Sequence, residues 1–120
     1  MTPQEIMNGM RKKNQELEMM NERSSELAEK SAQAERDYLV ALASKTIDLR
    51  SHGEPATLIS TLAKGDKTVS DLRMKMLIAD GVLNANREAI KTHRGALETY
   101  RSLLSWLKSE MEISRHVPDK

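Results

Sequence analysis

The sequence has no cysteine and no phenylalanine, and its aromatic residues are Trp106, Tyr38 and Tyr100 alone. Without cysteine there is no disulfide framework, no thiolate metal site and no thiol nucleophile. Three aromatics cannot floor a groove on which successive bases stack, which excludes nucleic-acid binders built on aromatic platforms. An excess of one charge is missing too: 19 basic against 18 acidic residues leave a formal net charge of +1. No global field therefore steers the chain to nucleic acid or to a membrane. The apolar runs are only a few residues long and the first residues carry no signal-peptide pattern, so neither a membrane span nor a membrane partner is expected. What remains is a chain of 120 residues, 31% charged and 38% apolar, enough for one domain at most.

Breakers are few and well placed. Thr2-Pro3-Gln4-Glu5 reads as a capping box, with Thr2 as N-cap and proline in its tolerated first position. Nothing but Gly9 then interrupts a helical pattern as far as Arg50. Ser51-His52-Gly53-Glu54-Pro55 is a stop signal, with Gly53 suited to a left-handed cap. Leu58, Ile59 and Leu62 mark one face of a short helix that ends at Gly65. Asp66 is placed to cap the next helix, and Asp71 adds negative charge to its early turns. The reading is a single helical domain, 1–120, with helices over 3–50, 55–64 and 66–116; Pro118 is the last breaker.

The last helix carries the clearest pattern. Alternating steps of three and four from Val69 fall on Leu72, Met76, Ala79, Leu83, Asn86, Ile90, His93, Leu97, Tyr100, Leu104, Leu107 and Met111. Eleven of these thirteen positions are apolar, a heptad seam without a stutter. Val82, Ala89, Ala96 and Leu103 form a second stripe beside it. A two-stranded coil needs only the narrow seam, so the wider face implies more than two packed helices. Gly81 and Gly95 fall on the opposite, solvent side. The first helix fits less well. After Ile6, Met10, Leu17 and Met20 its apolar residues drift toward an eleven-residue period, around a middle rich in serine and alanine.

Two long helices joined by a short one pack antiparallel. A core of Leu, Met, Ile and Ala without phenylalanine makes a lone hairpin marginal. The fold expected is therefore all-α: two long antiparallel, heptad-patterned helices joined by a short helix, assembling as a homodimeric four-helix bundle.

Residues that could carry chemistry are sparse. His52, His93 and His116 lie far apart, with no His-Glu-x-x-His or Glu-x-x-His spacing, so no metal and no cofactor is indicated. Glu18, Glu22 and Glu26 recur at helix-surface spacing, and nothing brings a carboxylate pair to a pocket, so no catalytic residue is assigned. Asn86 and His93 sit at equivalent places on the seam, where polar residues fix register and oligomer state at a cost in stability. Arg73, Arg87, Arg94, Arg101 and Lys108 share one heptad position, interrupted by Asp80. Salt bridges to acidic residues of a neighbouring helix are the first reading of that row. Phosphate contacts, aided by Arg11-Lys12-Lys13, are the second. Leu103, Trp106 and Ile113, continued by Val117, form a stripe off the seam that suits partner binding, since tryptophan is favoured in binding hot spots.

The run Ala34-Glu35-Arg36-Asp37-Tyr38-Leu39-Val40-Ala41-Leu42-Ala43, then Gly53-Glu54-Pro55-Ala56-Thr57-Leu58-Ile59, Leu62-Ala63-Lys64-Gly65-Asp66 and Leu103-Leu104-Ser105-Trp106-Leu107, resembles a group of small bacteriophage proteins. They occur in the early, replication or recombination regions of phages of Gram-positive bacteria. The likeness spans roughly residues 34 to 108. It implies a phage origin, a place in the host cytoplasm and a non-structural early role, and it brings no catalytic assignment. The function expected is that of a non-enzymatic helical-bundle protein contacting itself and an unidentified host or phage protein through Leu103, Trp106 and Ile113. The alternative is a nucleic-acid accessory protein using Arg87, Arg94, Arg101 and Lys108.

Overall fold

The computed structural model describes residues 1–116, which form three helices and no strand: α1 (Pro3–Ser51), α2 (Ala56–Gly65) and α3 (Lys67–His116). Val117 and Pro118 lie outside the described residues. The ends of the helices follow from the residues there. Thr2 Oγ1 accepts the Glu5 N–H at 3.2 Å, satisfying one of the orphan donors of the first turn. Gly53, at φ 77°, is the one residue with positive φ among those described. Its N–H bonds the Arg50 carbonyl and the Glu54 N–H bonds the Leu49 carbonyl, both at 3.2 Å. This is a Schellman ending, which needs a residue without a Cβ penalty at that point. Asp66 Oδ2 then accepts the Val69 N–H at 3.2 Å and caps α3.

The chain divides into two compact units, one formed by Met1–Arg23 with α3 from Asn86 onward and the other by Ser24–Ala85. In each, α1 and α3 run antiparallel, because the contacts pair rising numbers on one helix with falling numbers on the other. In the first unit Gly9 meets Tyr100, Glu16 meets His93 and Met20 meets Asn86. In the second, Ser31 meets Asp80 and Lys45 meets Asp66.

The seam read on α3 is the packed face. Val69, Leu83, Ile90 and Leu97 are buried, the other seam residues as far as Leu107 are half-buried, and Met111 is exposed. Of the second stripe, Ala89 and Ala96 are half-buried, whereas Val82 and Leu103 are exposed. On α1 the positions withdrawn from solvent include Ile6, Met10, Lys13, Leu17, Met20, Ser24, Leu27, Ser31, Ala34, Tyr38, Ala41 and Lys45, an alternation of four and three that holds as far as Lys45. Ala28, Leu42, Thr46 and Leu49 are half-buried as well, and Leu27, Tyr38 and Leu49 stand eleven residues apart, so the seam drifts toward its end. Its chemistry varies too, because Lys13, Ser24, Ser31 and Lys45 occupy seam positions.

The cores are correspondingly thin. In the first unit Ile6, Leu17, Ile90 and Leu97 are buried, each contributing roughly 1.5–3 kcal/mol. Leu17, Ile90 and Leu97 cluster together, with Met10 and Met20 packed against them. In the second unit α2 buries Ile59 and Ala63, while Leu58 and Leu62 stay exposed. The buried face of α2 is thus turned from the Leu58-Ile59-Leu62 face read in the sequence, since Ile59 and Ala63 are one full turn apart.

Candidate interaction surface

The unit that joins the start of α1 to the end of α3 holds Leu103, Trp106 and Ile113, Asn86 and His93, and Arg87, Arg94, Arg101 and Lys108; Arg73 lies in the other unit. The first unit's inner layer consists of three successive equivalent seam positions on α3: Asn86, His93 and Tyr100. Each meets a different group on α1. Asn86 Nδ2 donates to the Met20 carbonyl at 3.0 Å. His93 Nε2 lies 2.7 Å from Glu16 Oε2, and its Nδ1 lies 2.9 Å from the Ala89 carbonyl. The Tyr100 ring rests on Gly9, where a Cβ would stand 2.7 Å from Cζ.

Partial burial raises the Glu16 pKa, but the hydrogen bond from His93, with the charge and hydrogen bond of Lys13, outweighs it. The net effect holds the Glu16 carboxyl below its ordinary value. Lys13 reaches Glu16 at 3.4 Å along its own helix. His93 therefore has a side-chain partner suited to fixing the register of α1 against α3, whereas Asn86 donates to a backbone carbonyl, a group that α1 offers in every register. The partners themselves, Glu16 and Gly9, were not legible as such. A glutamate beside the seam looks like any surface glutamate, and a lone glycine in a helix does not announce the ring that needs it.

The outer layer is set by helix geometry. Leu103 flanks the seam and Trp106 and Ile113 stand farther round α3, at 39%, 60% and 66% exposure. With Gly9 opposite Tyr100, one heptad brings Thr2 opposite Leu107. Met111 and Ile113 then lie past the first turn of α1, which is why the seam stops being covered there.

No family model, curated protein or solved structure matches this chain. Function is read from the surface itself.

The basic row lies on another side of the same helix. Arg101 is about 140° around α3 from Trp106, five residues at about 100° each. Arg73, Arg87, Arg94, Arg101 and Lys108 are all exposed. Among the described residues the ion pair formed by this row is Arg101 with Glu98, on its own helix; no carboxylate of α1 reaches the row. Asp80, which interrupts the row, instead accepts a hydrogen bond from the buried Ser31 hydroxyl. In the second basic cluster Arg11 and Lys12 are exposed, whereas Lys13 is half-buried on the seam. An open groove of about 420 Å³ lies beside Met7, Met10, Arg11 and Leu104. Among the described residues no group of three or more His, Asp or Glu could hold a metal ion. None of the described helices is long and apolar enough to cross a membrane.

Proposed function

We propose that this protein is a non-enzymatic helical-bundle protein that acts by protein–protein contact through the outer face of the α3 C-terminal half. The observation that carries the reading is Trp106, a large side chain left 60% exposed beside Leu103 and Ile113. Exposed apolar residues with tryptophan among them have the composition of a binding hot spot rather than of a solvated helix back. On this reading, and with the phage origin that the sequence resemblance implies, such contacts would serve a phage programme of replication, recombination or host takeover within the host cytoplasm. Self-association and docking of a host or phage protein both use this kind of face.

The test is capture from host cells by tagged wild-type protein and by Trp106→Ala, side by side. The reading expects partners that are lost from the variant while its helical circular dichroism is unchanged. Identical capture by both chains rejects this surface.

A second reading, nucleic-acid binding by Arg87, Arg94, Arg101 and Lys108, is favoured by the absence of α1 carboxylates against that row. Four phosphate contacts on a single strand give a salt slope near −0.7 per contact, so affinity should fall about 50-fold for a fourfold rise in salt. Labelled single-stranded DNA whose anisotropy stays flat at low salt eliminates it.

A further inference from the structure

The charges of α3 are sharply segregated over its last half. Between Ala89 and Ser109 the charged residues are Lys91, Arg94, Glu98, Arg101 and Lys108. All five lie on the side that carries the basic row. The opposite flank of α3, from the Ala89-Ala96-Leu103 stripe beside the seam round to the solvent side, is uncharged throughout the same stretch. Ala89, Thr92, Ala96, Thr99, Leu103 and Trp106 define it, with glycine and serine at the positions between. In a chain that is 31% charged, an outward helix face about 30 Å long without one charge is not an ordinary solvated surface.

We propose that this face is the contact surface for a second copy of the chain, with the two α3 helices antiparallel across a two-fold axis near Ala96. The proposal rests on the reading of the chain as an interaction protein and names the partner for that face. Two observations carry it. First, a two-fold axis sets side chains close to their own symmetry mates. The basic row would then meet a basic row and be repelled, whereas the uncharged face meets no such penalty. Second, the sizes of the residues match in one orientation. With Ala96 opposite Ala96, the antiparallel arrangement sets Leu103 of each copy over Ala89 of the other and Thr92 near Thr99. Large then meets small, and the helix axes can stay within the usual 8–10 Å. A parallel pair would set Trp106 on Trp106 and Ala89 on Ala89, crowding one end and leaving the other open.

The absence of native cysteine makes the test direct. Light scattering on a sizing column is expected to give twice the chain mass. Ala96→Cys is expected to oxidise to a covalent dimer under conditions where Arg94→Cys does not. A mixture of Ala89→Cys and Leu103→Cys chains is expected to cross-link more than either alone. Ala96→Arg should weaken the dimer at least tenfold with unchanged helical circular dichroism. Thr99→Arg, at a fully exposed position, repeats that arm if Ala96→Arg loses helicity. A wild-type dimer that cross-links through Arg94→Cys, or that survives both arginine variants, overturns the proposed face while leaving an interaction protein. A chain that stays monomeric at every concentration overturns the proposal outright, and the Trp106→Ala capture comparison then decides separately whether a foreign partner uses the face.

Discussion

Replacing Gly9 with alanine sets two calculable effects against each other. Alanine in a helix interior is favoured over glycine by about 0.8–1 kcal/mol. At Gly9, however, the new Cβ would stand 2.7 Å from Tyr100 Cζ and 2.9 Å from its Cε1 and Oη. Carbon atoms pack at about 3.5–4.0 Å, so the ring must retreat by about 1 Å from a seam position that it half fills. Overpacking of this kind costs about 1–3 kcal/mol, enough to cancel or reverse the gain. Gly81 is the comparator, because nothing lies within 4 Å of a Cβ built there; Gly95 is equally open but borders the face assigned to a second copy. Gly81→Ala should therefore raise the melting temperature by about 4 °C, at about 4 °C per kcal/mol for a chain of this size. Gly9→Ala should leave it unchanged or lower it by up to about 8 °C. In a Tyr100→Ala background Gly9→Ala should become as stabilising as Gly81→Ala. The assay is thermal melting by circular dichroism at one fixed protein concentration. If Gly9→Ala in the wild-type background stabilises as much as Gly81→Ala, the Tyr100 contact does not constrain the helix pair and the reasoning fails.

Four further outcomes follow from the polar groups on the seam and from the thin cores. Ser31→Ala removes the donor to Asp80 and should cost roughly 1 kcal/mol, read from the same melts; no change would mean that the bond is replaced by water without loss. Asn86→Leu should stabilise the helices by about 1 kcal/mol while broadening the mass distribution on a sizing column, since a polar seam residue trades stability for a defined assembly; a single sharp species would deny it that role. The folded-state pKa of Glu16 is lowered below 4.5, so its stabilising contribution is complete above that pH and fades as pH falls through the lower folded value. Melts of wild type and Glu16→Gln should differ near neutrality and converge in acid, and a gap that persists undiminished well below 4.5 would contradict the assignment. The melting temperature should also rise with protein concentration if association supplies stability that the thin cores do not; a concentration-independent melt would argue for a self-sufficient monomer.

The α3 half of the fold was legible because its seam is written in Leu, Ile, Val and Met, and hydrophobic period is the strongest signal a sequence carries. The breakers were equally clear: Thr2, Gly53 and Asp66 each occupy the capping position that their chemistry suggests. The α1 half was less legible for a physical reason. Its seam positions hold Lys13, Ser24, Ser31 and Lys45, which count as surface residues in any search for apolar period. Ser31 is withdrawn from water because Asp80 takes its proton donor, and Lys45 because Asp48 and Asp66 lie at 3.7 and 3.6 Å. Asp80 and Asp66 are remote in sequence, so no local pattern reveals them; Asp48, three residues along α1, marks an ordinary surface pair. The exposed residues Leu103, Trp106 and Ile113 were visible as residue types standing off the seam, and where α1 begins against α3 adds only that Met111 is uncovered too.

A regular heptad seam has a weakness that the polar contacts address. Sliding one helix past the other by seven residues returns apolar side chains to the core almost unchanged, so burial alone does not choose among registers. The specific contacts do choose. A slip of one heptad in one direction sets Tyr100 against Glu16 and His93 against Arg23, removing the glycine that the ring needs and replacing the carboxylate partner with a cation. A slip in the other direction sets Tyr100 against Thr2 and His93 against Gly9, leaving the imidazole without an acceptor on α1. The Ser31 bond to Asp80 discriminates less, because in that second slip Ser24 arrives opposite Asp80 and offers the same hydroxyl. Register therefore depends chiefly on Gly9 and Glu16 in the first unit, and on the Lys45 pair with Asp66 in the second, where a slip would bring His52 or Tyr38 to the aspartate. His93 and Tyr100 lower the apolar content of the seam, and what they supply in exchange is a single alignment, which any partner reading the outer face of α3 would require.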